Sequence, residues 1–132
     1  MEHGLVPIDP KMLALMHGTF QLDGKLQPFA KEIMLIECHV AGTSHRDLSV
    51  VEDGLAPAQF LALLREPENA YDELAIKVMD EAGHQLGYVP RAKNEALARL
   101  MDAGKLLFGR IDAVKHLNHW LKINVRIFMR DW

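Results

Sequence analysis

Apolar and polar positions alternate most regularly near the end of the chain. Leu121, Ile123, Val125, Ile127 and Met129 fall on one face; Trp120, Lys122, Asn124, Arg126 and Phe128 fall on the other. A period of two is that of a half-buried strand, here over 119–129. Residues 105–115 read as its partner strand, joined to it by a turn at 116–119. Upstream, 33–40 is a mostly apolar run ended by Gly42, which predicts a buried strand. Residues 59–65 fit either a strand or a helix. Pro67 follows closely, so a strand ending in a loop is the more economical choice. Residues 75–80 and 84–89, separated by Ala82 and Gly83, read as a hairpin. Over 91–103 the period lengthens. Leu97, Leu100 and Met101 fall at i, i+3 and i+4 while Glu95, Arg99 and Asp102 face away. That pattern predicts a helix with Gly104 as its C-cap.

Residues 1–30 read as an N-terminal arm outside a compact domain at 31–132. Pro10 suits the first turn of a short helix at 10–17, and Asp23-Gly24 suits a tight hairpin turn. Five or six strands with one or two helices make a mainly β, α+β domain. The expected architecture is a small antiparallel barrel or sandwich with a helix over one opening.

A chain of 132 residues suits one domain, and half of it is hydrophobic, so it can bury an ordinary core. One cysteine, Cys38, excludes an internal disulfide and points to a reducing, cytoplasmic setting. The N-terminus has no basic segment followed by a long apolar run, so neither a signal peptide nor a membrane span is expected. The net charge of −3 argues weakly against a general polyanion binder, but the charge is uneven. Residues 1–60 hold four Lys/Arg and eight Asp/Glu; residues 91–130 hold nine and three. A local basic face steers phosphate whatever the mean charge, although a lysine-rich solvated surface has the same composition.

Three places carry candidate chemistry. On the last strand, Trp120 followed by Lys122 and Arg126 combines a stacking ring with cations, as single-strand binding requires. An ordinary solvent face with a partly covered Trp accounts for the pattern equally well. In the loop 66–73, Asn69 offers a donor and an acceptor, Tyr71 a stacking face, and Asp72 an acceptor for a hydroxyl. The plain structural alternative is a set of local turns with Tyr71 plugging the barrel end. At 87–91, Gly87 permits close backbone approach, and Arg91 lies near a helix start, where phosphate is favoured. Metal chemistry is poorly served. His116 and His119 straddle a turn, and Cys38 and His39 point to opposite faces of a strand. Asp72 with Glu73, or Glu66 with Glu68, is the least unpromising pair for a metal-dependent nuclease. The chain has no nucleophile elbow, P-loop or His-Glu-x-x-His motif. No catalytic residue, metal or cofactor is therefore expected.

The segments 64–78, 83–91 and 94–104, with His39-Val-Ala-Gly-Thr-Ser-His upstream, resemble the HIRAN domain over about 33–128. Asn-x-Tyr-Asp-x-x-Ala-Ile followed by Gly-Tyr-Val-Pro is the most specific part. The resemblance implies an OB-like barrel of six strands with two helices. It also implies a non-enzymatic module that grips the 3′-hydroxyl end of single-stranded DNA in repair or replication-fork processing, beside a partner helicase or nuclease. Tyr71 then packs on the terminal nucleotide, Asp72 accepts from the 3′-hydroxyl and Asn69 lines the pocket. Arg91 meets phosphate and Trp120 stacks on a base, with Lys93, Lys122 and Arg126 following the phosphates. His45 stands where the best-understood member has an aromatic hydroxyl, Tyr88 where it has an imidazole, and Ser44 where it has an arginine. A scaffold for protein partners is the alternative use of such a barrel.

Overall fold

The computed structural model describes the backbone at 21–22, 25–26 and 31–131, and the side chains of 31–130. Two short strands, β1 (Gln21–Leu22) and β2 (Lys25–Leu26), pair antiparallel, a register that brackets Asp23-Gly24. The helix expected at 10–17 lies outside the described residues. The main sheet contains β3 (Lys31–His39), β4 (Phe60–Arg65), β5 (Ile76–Met79), β6 (Gln85–Tyr88), β7 (Leu106–Leu117) and β8 (Trp120–Asp131). Their order is β3-β8-β7-β4-β5-β6, every pair antiparallel. One α-helix, α1 (Glu95–Asp102), connects β6 to β7.

Side-chain alternation sorts the residues. Leu61, Leu63, Ile76, Val78, Leu86, Leu107, Ile111, Ile123, Val125 and Ile127 point inward and share one core. Helix α1 lays Leu97 and Ala98 on that core and leaves Glu95, Arg99 and Asp102 outside. Irregularities interrupt β3–β8, β7–β8 and β5–β6. Such bulges raise local twist, so the sheet curls into a half-barrel. On the outer face the rings of Phe60, Phe108 and Phe128 stack in sequence, 5.6 and 5.4 Å apart, under the Arg110 guanidinium.

The two sheet edges meet at one place. Ala41, just past β3, bridges Tyr88 of β6 through two backbone hydrogen bonds of 2.7 and 2.9 Å. A Cβ on Gly87 would lie 2.7 Å from Val40 Cγ1 and closer still to the Ala41 carbonyl oxygen. Only glycine lets the two backbones approach this closely.

The mainly β, OB-like architecture matches the pattern read from the sequence, with three differences in detail. The run 33–40 is an edge strand, not a buried one; Ile33 and Met34 are exposed on it, and Val40 is its fully buried end. Among the described residues it pairs along its length with β8 alone. The helix begins at Glu95. Arg91–Lys93 form a separate 3-10 turn, joined to the helix through Asn94, whose backbone stays in the right-handed helical region. The last two strands run on to Leu117 and start again at Trp120, so the turn is the pair Asn118-His119, with Asn118 at φ 49°. Asparagine tolerates that left-handed conformation better than most residues, which lets the ladder persist to the tip. Among the described residues there is one α-helix, none long and apolar enough to cross a membrane.

Candidate functional site

The seam at Ala41 and Tyr88 is the floor of a cleft of about 230 Å³ lined by Asn69, Tyr71, Asp72, Ala75, Val89 and Arg91 as well. Its outer wall is the loop between β4 and β5. That loop is held at both ends by Arg65, whose guanidinium donates to the carbonyls of Ala75 (2.7 Å) and Glu73 (2.9 Å) and pairs with Asp102 of α1.

Within the loop, Asn69 Oδ1 accepts from the backbone N–H groups of Tyr71 (2.8 Å) and Asp72 (3.0 Å). This local turn lifts the Tyr71 ring into solvent, where it is 87% exposed. Asp72 faces the cleft. Its Oδ1 accepts from Leu74 N–H at 2.9 Å, its Oδ2 from Asn94 Nδ2 at 2.7 Å, and Arg91 Nε lies 3.9 Å away. The Leu74 amide foremost, then the Asn94 amide, hold the Asp72 carboxyl below the usual aspartate range. It is therefore an anionic acceptor at neutral pH.

Glu66 links the two walls from behind. Its Oε1 accepts from Asn69 Nδ2 (2.6 Å) and from the Tyr88 hydroxyl (2.8 Å), and its Oε2 pairs with Lys77 Nζ (2.9 Å). Burial pushes this carboxyl up, but the donors Asn69, Lys77 and Tyr88 together bring it below the usual glutamate value. Glu66 and Asp72 thus serve different partners in different places. No group of three ligating side chains gathers among the described residues.

Of the residues expected from the sequence, Asn69, Tyr71, Asp72, Tyr88 and Arg91 come together here. The polar atoms of Asn69 and Tyr88 are engaged within the wall, so these two shape the cleft. Arg91 leads the 3-10 turn and precedes the α-helix, so the helix N-terminus does not reinforce it as expected. The others lie elsewhere. Trp120 meets His39 edge-on at 6.0 Å, and Lys122 Nζ sits 5.8 Å from the centre of the Trp120 ring. His39 and Ala41 alternate outward around buried Val40, so the outer surface of β3 runs from the cleft to Trp120. Ser44 shares a polar groove with Trp120, and His45 lines a separate hollow with Arg46 and His84. Lys93 ends the 3-10 turn and shares a shallow hollow with Ile36 and Arg99. Arg126 is paired with Glu37 (3.0 Å) and Asp112 (3.3 Å), acids that a phosphate would have to displace. Lys77, Arg65 and Asn94 are shaping residues that the sequence reading did not pick out, and Glu66, weighed there only as a metal-binding acid, shapes the cleft as well. Asn94, directly before a helical run, carried an N-cap signal; its side chain turns to Asp72 instead of capping the helix.

A curled six-stranded antiparallel sheet, one helix and a cleft at the sheet seam define a small OB-like barrel module. The HIRAN domain model matches residues 33–130, and the chain belongs to that family. A crystal structure of a protein from Lactobacillus plantarum superposes with a TM-score of 0.72 at 25% identity, covering 78% of this chain and 99% of that one. The crystal structure of the HIRAN domain of human HLTF gives 0.59 at 24% identity, over 76% of this chain and 79% of that one. The same domain in its DNA-bound conformation gives 0.55 at 24%, over 76% and 80%. The helicase-like transcription factor of Oryctolagus cuniculus is 48% identical over 44 residues, which is 33% of this chain and 4% of that protein's length.

Proposed function

We propose that this chain is a non-enzymatic module that binds single-stranded DNA and holds its 3′-hydroxyl end in the seam cleft. One observation carries the reading: an anionic Asp72, fixed by two donors, faces a cleft flanked by the exposed Tyr71 ring and the Arg91 guanidinium. A carboxylate accepts from a hydroxyl and repels a phosphate, so the cleft favours a free end over a phosphorylated one. Tyr71 supplies a ring for the terminal nucleotide, Arg91 meets the next phosphate, and the surface through His39 leads to Trp120 and Lys122. Family membership and the likeness to the DNA-bound HIRAN domain of human HLTF support DNA as the ligand. Stacking at roughly 1–3 kcal/mol per base gives affinity of about micromolar order for two or three nucleotides. A role in DNA repair or fork processing beside a helicase or nuclease fits such a module.

The test is a titration of two short oligonucleotides identical except for a 3′-hydroxyl or a 3′-phosphate. The hydroxyl form should bind more tightly. Equal affinities would remove the end-recognition part of the reading.

A further inference from the structure

The cleft has two walls that are far apart in sequence, the loop after β4 and the strand β6. Glu66 joins them from behind, beside a longer contact of 3.4 Å from the Asn69 amide to the Tyr88 hydroxyl. Glu66, at the start of the loop, takes the Tyr88 hydroxyl of β6 at 2.8 Å and the Asn69 amide of the loop at 2.6 Å on the same oxygen. Its other oxygen is neutralised by Lys77 of β5 at 2.9 Å. Asn69 in turn holds the backbone N–H groups of Tyr71 and Asp72. A chain of contacts therefore runs from Lys77 through Glu66 and Asn69 to the two side chains that face a ligand.

We infer that Glu66 is a positioning residue. Through Asn69 it sets where Tyr71 and Asp72 stand, and through Tyr88 it fixes the opposing ring. This inference deepens the proposed function and rests on it for its DNA readout. The Tyr88 hydroxyl is directed away from the cleft, so Tyr88 presents a ring face to the ligand. The polar groups left for the ligand are the Asp72 carboxylate and the Arg91 guanidinium, above a floor of Ala41, Ala75 and Val89. Hydrogen bonds to a charged acceptor are stronger than neutral ones, so the carboxylate is the side chain best able to hold Tyr88 and Asn69 together. Lys77 keeps that charge from standing unpaired in a half-buried place.

The experiment compares wild type with Glu66→Ala, Glu66→Gln and Tyr88→Phe. Two quantities are read: amide hydrogen exchange at Tyr71 and Asp72, and the ratio of affinities for 3′-hydroxyl and 3′-phosphate oligonucleotides. Glu66→Ala should speed exchange at both amides about tenfold, the loss of one to two ordinary hydrogen bonds, with the amides of β7 and β8 unchanged. It should also collapse the affinity ratio towards one. Glu66→Gln keeps an acceptor for Tyr88 and Asn69 and should restore at least half of the ratio. Tyr88→Phe should lower the ratio and leave exchange at Tyr71 and Asp72 unchanged. Unchanged exchange in Glu66→Ala overturns the inference, as does a glutamine variant no better than the alanine one. A wild type that does not distinguish the two ends overturns the proposed function, while the exchange measurement still decides the role of Glu66.

Discussion

Asp72 concentrates the chemistry of the cleft in one carboxylate. Asp72→Asn removes the charge while keeping the side chain's size. It should reduce the preference for a 3′-hydroxyl over a 3′-phosphate about tenfold or more, as expected for a hydrogen bond to a charged group, read by paired anisotropy titrations. The pH dependence follows from the direction of its shift. Its carboxyl lies below the usual aspartate range, so it stays ionised until the pH falls well under about 3.9. Affinity for the 3′-hydroxyl oligonucleotide should therefore show no loss through Asp72 from pH 8 to pH 5 in the same titration; the phosphorylated control changes its own charge near pH 6. Cys38 offers a second residue-level check. Burial pushes its thiol up to about 11 from an ordinary 9.0. At pH 8 the thiolate is then about a hundredfold scarcer, and alkylation by iodoacetamide should be slower by at least that factor than for a free thiol. Tyr71, Asp72 and Asn69 were legible in the sequence because one short loop holds them together. The linking role of Glu66 was not, because its partners Lys77 and Tyr88 come from strands that only the folded sheet brings alongside. A carboxylate next to Pro67 looks like any solvated loop acid until those neighbours are known.

At the level of elements, alternation alone separated the two faces of β8, and Asn118 explains why its ladder with β7 reaches so near the tip. The run 33–40 shows the limit of such reading. An apolar stretch suits a central strand, yet whether it is central depends on how many neighbours the topology supplies, and β3 has one. The helix start was blurred for a similar reason: Asn94 sits where a cap belongs, but its side chain serves the loop after β4. The seam makes the sharpest element-level prediction. Gly87→Ala would drive a methyl into the Ala41 backbone and Val40, both of which are anchored. It should cost about 1–3 kcal/mol or more, the range for overpacking, measured as a drop in thermal midpoint. Ala75→Gly, on the cleft floor but clear of that contact, should leave the bridge at Ala41 and Tyr88 intact by amide exchange.

Across the whole molecule, the basic composition of 91–130 does not become a basic face. Arg110 and Arg130 pair with Glu32, Arg126 with Glu37 and Asp112, and Arg99 with Glu95. That leaves Arg91, Lys93 and Lys122 as the cations nearest the proposed path. Two to three phosphate contacts predict a slope of about −2 for log K against log salt with single strands. A slope near −4 or steeper would mean that the paired arginines change partners on binding. Acid should also weaken the fold. Glu32, Glu66, Asp72 and Asp102 all sit below their ordinary values, held down chiefly by Arg110, the donors around Glu66, the Leu74 amide and Arg65 respectively. Groups depressed in the folded state contribute stability that is complete above their unfolded values and lost as pH falls through the folded ones. Thermal midpoints should therefore hold from pH 7 to about 5 and decline below about 4.

The glutamates of β3 have a consequence for how such a molecule travels. With Arg110, Arg126 and Arg130 already answered by acids of the sheet, the proposed binding would have little purchase on the middle of a long polyanion. Under the proposed function, a terminus is the address where ring, carboxylate and guanidinium all find something to hold. Residence time, more than arrival, then decides where the protein is found.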